Sequence, residues 1–102
     1  FSFFTKLFNS GSKVDLKELI ANKAIIIDVR TKAEYQNGHI KGSMNIPLQS
    51  LNTQLSKLKK DKTIITCCAS GSRSSVAKSI LKSNGFTDVH NGGSWTRLRQ
   101  YV

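Results

Sequence analysis

Two short stretches constrain this chain more than anything else in it: Ala24 to Val29 (Ala-Ile-Ile-Ile-Asp-Val) and Thr63 to Thr66 (Thr-Ile-Ile-Thr). Each is a β-branched run without polar alternation, as expected of a strand covered on both sides in a parallel sheet. Such coverage needs helices above and below, and the surrounding sequence supplies them. Asp15 with Glu18 three residues on has capping-box spacing, and Leu16, Leu19 and Ile20 share one face of the helix it would open. Thr31 to Gln36 reads as a second short helix, capped by Thr31 and closed by Asn37-Gly38. Ser43 to Ile46 fits a brief strand before Pro47. Leu48, Leu51, Leu55 and Leu58 recur at helical spacing and predict a third helix with a core-facing edge. Val76, Ala77, Ile80 and Leu81 form the stripe of a helix ending at Asn84-Gly85. Asp88 to His90 reads as a last strand, Asn91-Gly92-Gly93 as a turn, and Ser94 to Tyr101 as a final helix. Strands alternating with helices define an α/β fold with a mostly parallel sheet.

A length of 102 residues suits one small domain. Residues 1–13 read as a tail and linker, and 14–102 as the domain. No apolar run approaches the ~20 residues of a membrane-spanning helix. The apolar segment Phe1 to Phe8 is expected to pack on the domain or stay disordered, with contact to a membrane surface as the weaker alternative; Asn9 to Ser12 is a linker. Because the first residue is not Met, the chain reads as trimmed or processed. The cytoplasm, which protects free thiols, is the expected compartment, with export after removal of a leader as the alternative. Sixteen Lys and Arg against six Asp and Glu give a net charge of +10. Such a field concentrates anions and keeps the chain soluble. Its lysines are scattered apart from Lys57 to Lys62, and its aromatics are not interleaved with them, so nucleic acid is not an expected partner. A monomer is expected.

The second buried run leads into Cys67 and Cys68, then Ala69-Ser70-Gly71-Ser72-Arg73, then a helix. In open α/β sheets ligands sit at the carboxyl ends of strands, where this loop lies. The helix start directs unpaired N–H groups back at the loop. Gly71 and its small neighbours let those amides turn inward as an anion-binding nest, and Arg73 adds a cation able to hold an oxyanion by two hydrogen bonds. An ordinary thiol, with a pKa of about 8.5, is only about 3% ionised at pH 7. This setting favours the anion and so the nucleophile. Adjacent cysteines form no disulfide framework, and with His39 and His90 they are too few for a structural zinc site.

Cys68-x-x-Gly71-x-Arg73-Ser74 after an apolar strand resembles the active-site loop of rhodanese-like sulfurtransferases. Upstream, Asp28-Val29-Arg30, Glu34-Tyr35, Gly38-His39-Ile40, Gly42-Ser43 and Asn45-Ile46-Pro47 are similar, in order and spacing, to that family's first signature, and Gly92-Gly93 with Trp95 to its closing segment. The resemblance spans about residues 24 to 98. It implies a five-stranded, mostly parallel sheet with helices on both faces. It also implies covalent, two-stage catalysis: the loop cysteine takes the outer sulfur of a donor such as thiosulfate as a persulfide, and a thiol or cyanide acceptor removes it. Carried onto this chain, Cys68 is the nucleophile, and Ala69, Ser70, Gly71, Ser72 and Arg73 bind the small anionic donor. Asp28, Arg30, Glu34 and His39 give structural support. No cofactor or metal is implied, and a persulfide-carrying protein is a further candidate partner.

Two rival readings remain open at this point. Counted from Cys67, the segment is Cys-x5-Arg-Ser, the spacing of cysteine phosphatases and related arsenate reductases. Gly71, however, follows Cys68 at the sulfurtransferase distance, and side chains alternate along a strand, so only one of the two thiols faces the loop. Cys68 is assigned. Cys67 is expected to pack under the sheet edge, with resolution of a Cys68 persulfide as its alternative role. The second rival is a non-catalytic binding module that uses the basic surface.

Overall fold

The computed structural model describes residues 15–102. The N-terminal apolar segment, its linker and the expected 13/14 boundary lie outside the described residues. The elements run α1 (Leu16–Ala21), β1 (Ile25–Asp28), α2 (Lys32–Gln36), β2 (Met44–Asn45), two 3-10 helices (Leu48–Thr53 and Leu55–Lys57), β3 (Ile64–Cys68), α3 (Ser72–Ser83), β4 (Val89–Ser94), α4 (Trp95–Leu98) and a closing 3-10 helix (Arg99–Tyr101). The strands form one parallel sheet in the order β2-β1-β3-β4. The two β-branched runs are its central pair, with Ile25 opposite Ile64 and Asp28 opposite Cys67.

Because side chains alternate along a strand, the sheet divides the core in two. On one face Ile27, Val29, Ile64, Cys68 and Val89 meet Ala77 and Leu81 of α3, Phe86, and Leu51 and Leu58 of the segment after Pro47. On the other, Ile26, Ile65 and Cys67 meet Leu98 of α4, with Trp95 and the α1 residues Leu16, Leu19 and Ile20 packed against them. Helices therefore cover both faces, as the unalternating runs require.

Four strands pair among the described residues rather than the expected five; residues 15–102 contain no further β-branched run to supply another. The leucine repeat from Leu48 does not make an α-helix. Ser50 N–H donates to Pro47 O and Gln54 N–H to Leu51 O, an i to i+3 pattern, while the Thr53 hydroxyl bonds Ser50 O at 2.8 Å. The Thr53 side chain competes for the backbone there, and the tighter winding still places Leu51 and Leu58 in the core. Asn91-Gly92-Gly93 is not a turn: β4 runs through it, with an irregularity opposite Thr66 and Cys68 that brings Ser94 beside Cys68.

Gly92 makes that continuation feasible. A Cβ there would stand 2.7 Å from Ile65 Cγ2, 2.9 Å from Thr66 O and 3.0 Å from Leu98 Cδ2. Backbone and two buried side chains cannot all retreat. Gly92→Ala is expected to lower stability by about 1–3 kcal/mol, seen as an earlier urea midpoint with an unchanged slope.

Candidate active site

β3 ends at Cys68 and α3 starts at Ser72, with Gly71 between them at a φ of +110°, a conformation few other residues tolerate. The N-cap residue of α3, Gly71, has no side chain to cap it. The sulfur of Cys68 fills that role: the N–H of Gly71 donates to Sγ at 3.0 Å and that of Ser74 at 3.3 Å. Unpaired amides at a helix start need an acceptor, and here an anion-forming one is built into the preceding strand. Burial pushes the Cys68 thiol up. The Ser74 hydroxyl and the N–H groups of Ser74, Gly71 and Ser70 together pull it further down, leaving it below the ordinary thiol value.

Cys67 points the other way, into the second core beside Asp28. Burial first, and then the Asp28 carboxylate, push its thiol up to about 12, against the smaller opposing pull of Arg30. It stays a neutral thiol, fully covered. The Cys-x5-Arg frame that starts at Cys67 therefore has its sulfur on the wrong side of the sheet to enter the loop.

Ala69, Ser70 and Ser72 line the exposed rim of the loop. Arg73 does not stand free: its Nη1 and Nη2 bond both oxygens of Glu34, at 2.8 and 3.1 Å. Glu34 also completes a capping box with Thr31 at the start of α2. Arg73 first, with Thr31 behind it, pulls the Glu34 carboxyl down to about 2. The pair ties α2 to the loop.

Asp28 and Arg30 form a buried ion pair on the Cys67 side of the sheet, 2.7 Å at its closest. Arg30 also donates to Gly38 O and lies over the Trp95 ring, its guanidinium carbon 4.5 Å from the centroid. His39 stacks on Tyr35 and bonds that residue's carbonyl through Nδ1. His90 pairs with Asp88 at 2.7 Å. Neither histidine is hydrogen-bonded to the Cys68 loop. Beside Arg73 a cavity of about 200 Å3 is walled by Val29, Thr31, Pro47, Leu48 and Gln49.

Two residues in the loop's hydrogen-bond network were not singled out from the sequence. Ser74 is fully buried and reaches the sulfur with both its N–H and its hydroxyl. Its signal was available, since it closes the loop motif one helical turn after Gly71. Asn91, read as a turn residue, bonds Ser74, Gly71 and Gly93; nothing in the sequence alone places it there.

A buried thiol cradled by the start of a helix at the carboxyl end of a parallel sheet defines a class of single-cysteine loop proteins. The family follows from comparison: the Rhodanese-like domain family model matches residues 12–96, and the chain belongs to that family. It is 39% identical over 69 residues to thiosulfate sulfurtransferase PspE of Escherichia coli (strain K12), covering 66% of each chain. It is likewise 39% identical over 69 residues to protein YqhL of Bacillus subtilis (strain 168), covering 68% of this chain and 55% of YqhL. The chain thus spans less than two-thirds of either relative's length. The solved structure of a human single-domain sulfurtransferase superposes with a TM-score of 0.75 at 27% identity, covering 83% of this chain and 89% of that one.

The depressed Glu34 carboxyl fixes the sign of a pH effect. Its contribution to stability is complete above the ordinary carboxylate range and disappears as pH falls toward about 2. Because both partners are about one-third exposed, the pair contributes at most about 1 kcal/mol. Glu34→Gln is expected to lose that much at neutral pH and to show a correspondingly shallower acid limb in denaturation measured against pH.

Proposed function

We propose that this chain is a sulfurtransferase that moves sulfane sulfur from a small anionic donor such as thiosulfate to a thiol or cyanide acceptor, through a persulfide on Cys68. The observation that carries the reading is the pair of amides, Gly71 and Ser74, directed at the Cys68 sulfur while Cys67 faces away. The Cys68 thiolate attacks the outer sulfur of thiosulfate. A new S–S bond forms, the old one breaks, and its electron pair leaves with sulfite. The acceptor then attacks the outer sulfur of the persulfide and the Cys68 thiolate departs, restoring the starting state. With the thiolate preformed, no general base is needed and the kinetics are ping-pong. Amides and a helix start suited to a thiolate equally suit the anionic outer sulfur of the persulfide. The cavity beside Arg73 gives the rest of a donor or acceptor a place to lie. Thiosulfate sulfurtransferase activity is named in the relative PspE, and sulfur carriage in a putative sulfur carrier protein of Bacillus subtilis. A reducing cytoplasm, where acceptor thiols are plentiful, suits such a carrier.

Intact mass after incubation with thiosulfate tests the proposal. The expected gain is one sulfur, about 32 Da by atomic mass, in the wild type and in Cys67→Ser, and none in Cys68→Ser. No gain in the wild type returns the chain to the binding-module reading, and a gain that survives Cys68→Ser refutes the assignment of the carrier. Turnover should rise with pH on the acid side and level off below the range of an ordinary thiol, because Cys68 ionises early.

A further inference from the structure

Ser74 has one hydroxyl proton and more acceptors than it can serve. Its Oγ lies 2.6 Å from Asn91 Oδ1, 3.1 Å from Gly71 O and 3.4 Å from the Cys68 sulfur. The shortest contact takes the proton, so in the thiol state Ser74 donates to Asn91 and accepts the S–H of Cys68. That arrangement cannot persist once the sulfur is an anion, because the hydroxyl would then turn a lone pair toward it.

We propose that Asn91 is a positioning residue that competes with the Cys68 sulfur for the hydroxyl proton of Ser74, and so holds the nucleophile toward its thiol form until the hydroxyl turns. The inference rests on reading Cys68 as the reacting thiol. On ionisation the thiol proton goes to solvent, and the O–H of Ser74 rotates from Asn91 Oδ1 to Sγ. Asn91 Oδ1 keeps the N–H of Gly93, at 2.9 Å, and, being exposed, takes water in place of the lost donor. No buried group is orphaned in either state. When the outer sulfur of a persulfide carries the charge, Sγ bears neither charge nor proton, and the hydroxyl returns to Asn91. The other titratable groups coupled to this thiol are Arg73 of α3, already paired with Glu34, and the neutral Cys67 of β3. Changes at Asn91 leave both in place.

The test is the ultraviolet thiolate absorbance of the whole chain titrated against pH, without any sulfur donor. Asn91→Ala removes the competitor. At a pH below the wild-type midpoint the thiolate fraction is expected to rise about two- to tenfold, the worth of one redirected hydrogen bond. A purely structural role predicts the reverse: without the Asn91 bonds to Gly71 O and Gly93 N–H the loop loosens, its amides leave the sulfur, and the midpoint climbs. Ser74→Ala should raise the midpoint, and adding Asn91→Ala in that background should change nothing further. Asn91→Leu, similar in volume and lacking the acceptor, should match Asn91→Ala and decides the matter if the alanine variant fails to fold. An unmoved or raised midpoint in Asn91→Ala and Asn91→Leu overturns the proposal, as does an equal shift with Ser74 already absent. A chain whose midpoint moves as stated but takes up no sulfur from thiosulfate refutes the transferase reading and leaves this relay standing.

Discussion

A helix whose N-cap residue has no side chain must find acceptors elsewhere for its first N–H groups, and here the acceptor is a sulfur atom. The rest of the site follows from that one requirement. Cys68 has to be the last residue of β3, Gly71 has to adopt a backbone conformation that side chains resist, and α3 has to start at once, or the amides of Gly71 and Ser74 would miss the sulfur. Folding and reactivity are served by the same bonds. The interactions that satisfy the start of α3 also favour a negative sulfur, so an anion in the loop stabilises the fold around it.

The second determinant is the parity of the sheet. Adjacent cysteines in a strand differ by half a pleat, and that half pleat puts one thiol under a ring of donors and the other against a carboxylate in an apolar layer. Identical side chains one residue apart thereby acquire opposite ionisation behaviour. The separation also keeps the two sulfurs apart, Cys68 in one core layer and Cys67 in the other.

Much of this could be read from the residues. The unalternating runs of isoleucine gave the central strands, their parallel pairing and the need for helices on two sides. Periodicity and capping residues located α1, α2 and α3 closely. Strand alternation predicts that only one of the two adjacent thiols faces the loop, and Cys68 is the one that meets its amides. What escaped was set by tertiary contacts. The leucine repeat after Pro47 has the spacing of an α-helix, but the Thr53 side chain competes for the backbone and the winding is tighter. Asn91-Gly92-Gly93 has the composition of a turn, and only the close approach of Ile65 and Leu98 shows why glycine sits within a strand there. Arg73 looked like a free cation because its partner, Glu34, is distant in sequence and doubles as the cap of another helix. Asn91 is bonded to Ser74 on α3, a pairing that no local pattern encodes.

Trp95, the single tryptophan of the chain, meets two guanidinium groups, with the Cζ atoms of Arg30 and Arg99 at 4.5 and 4.9 Å from its ring centroid and Gly38 close to its edge. The indole therefore touches the loop after α2, the buried ion pair beneath the sheet and the C-terminal helical turn at once. Its fluorescence is a built-in optical gauge of whether those distant parts of the chain are docked, readable without any label.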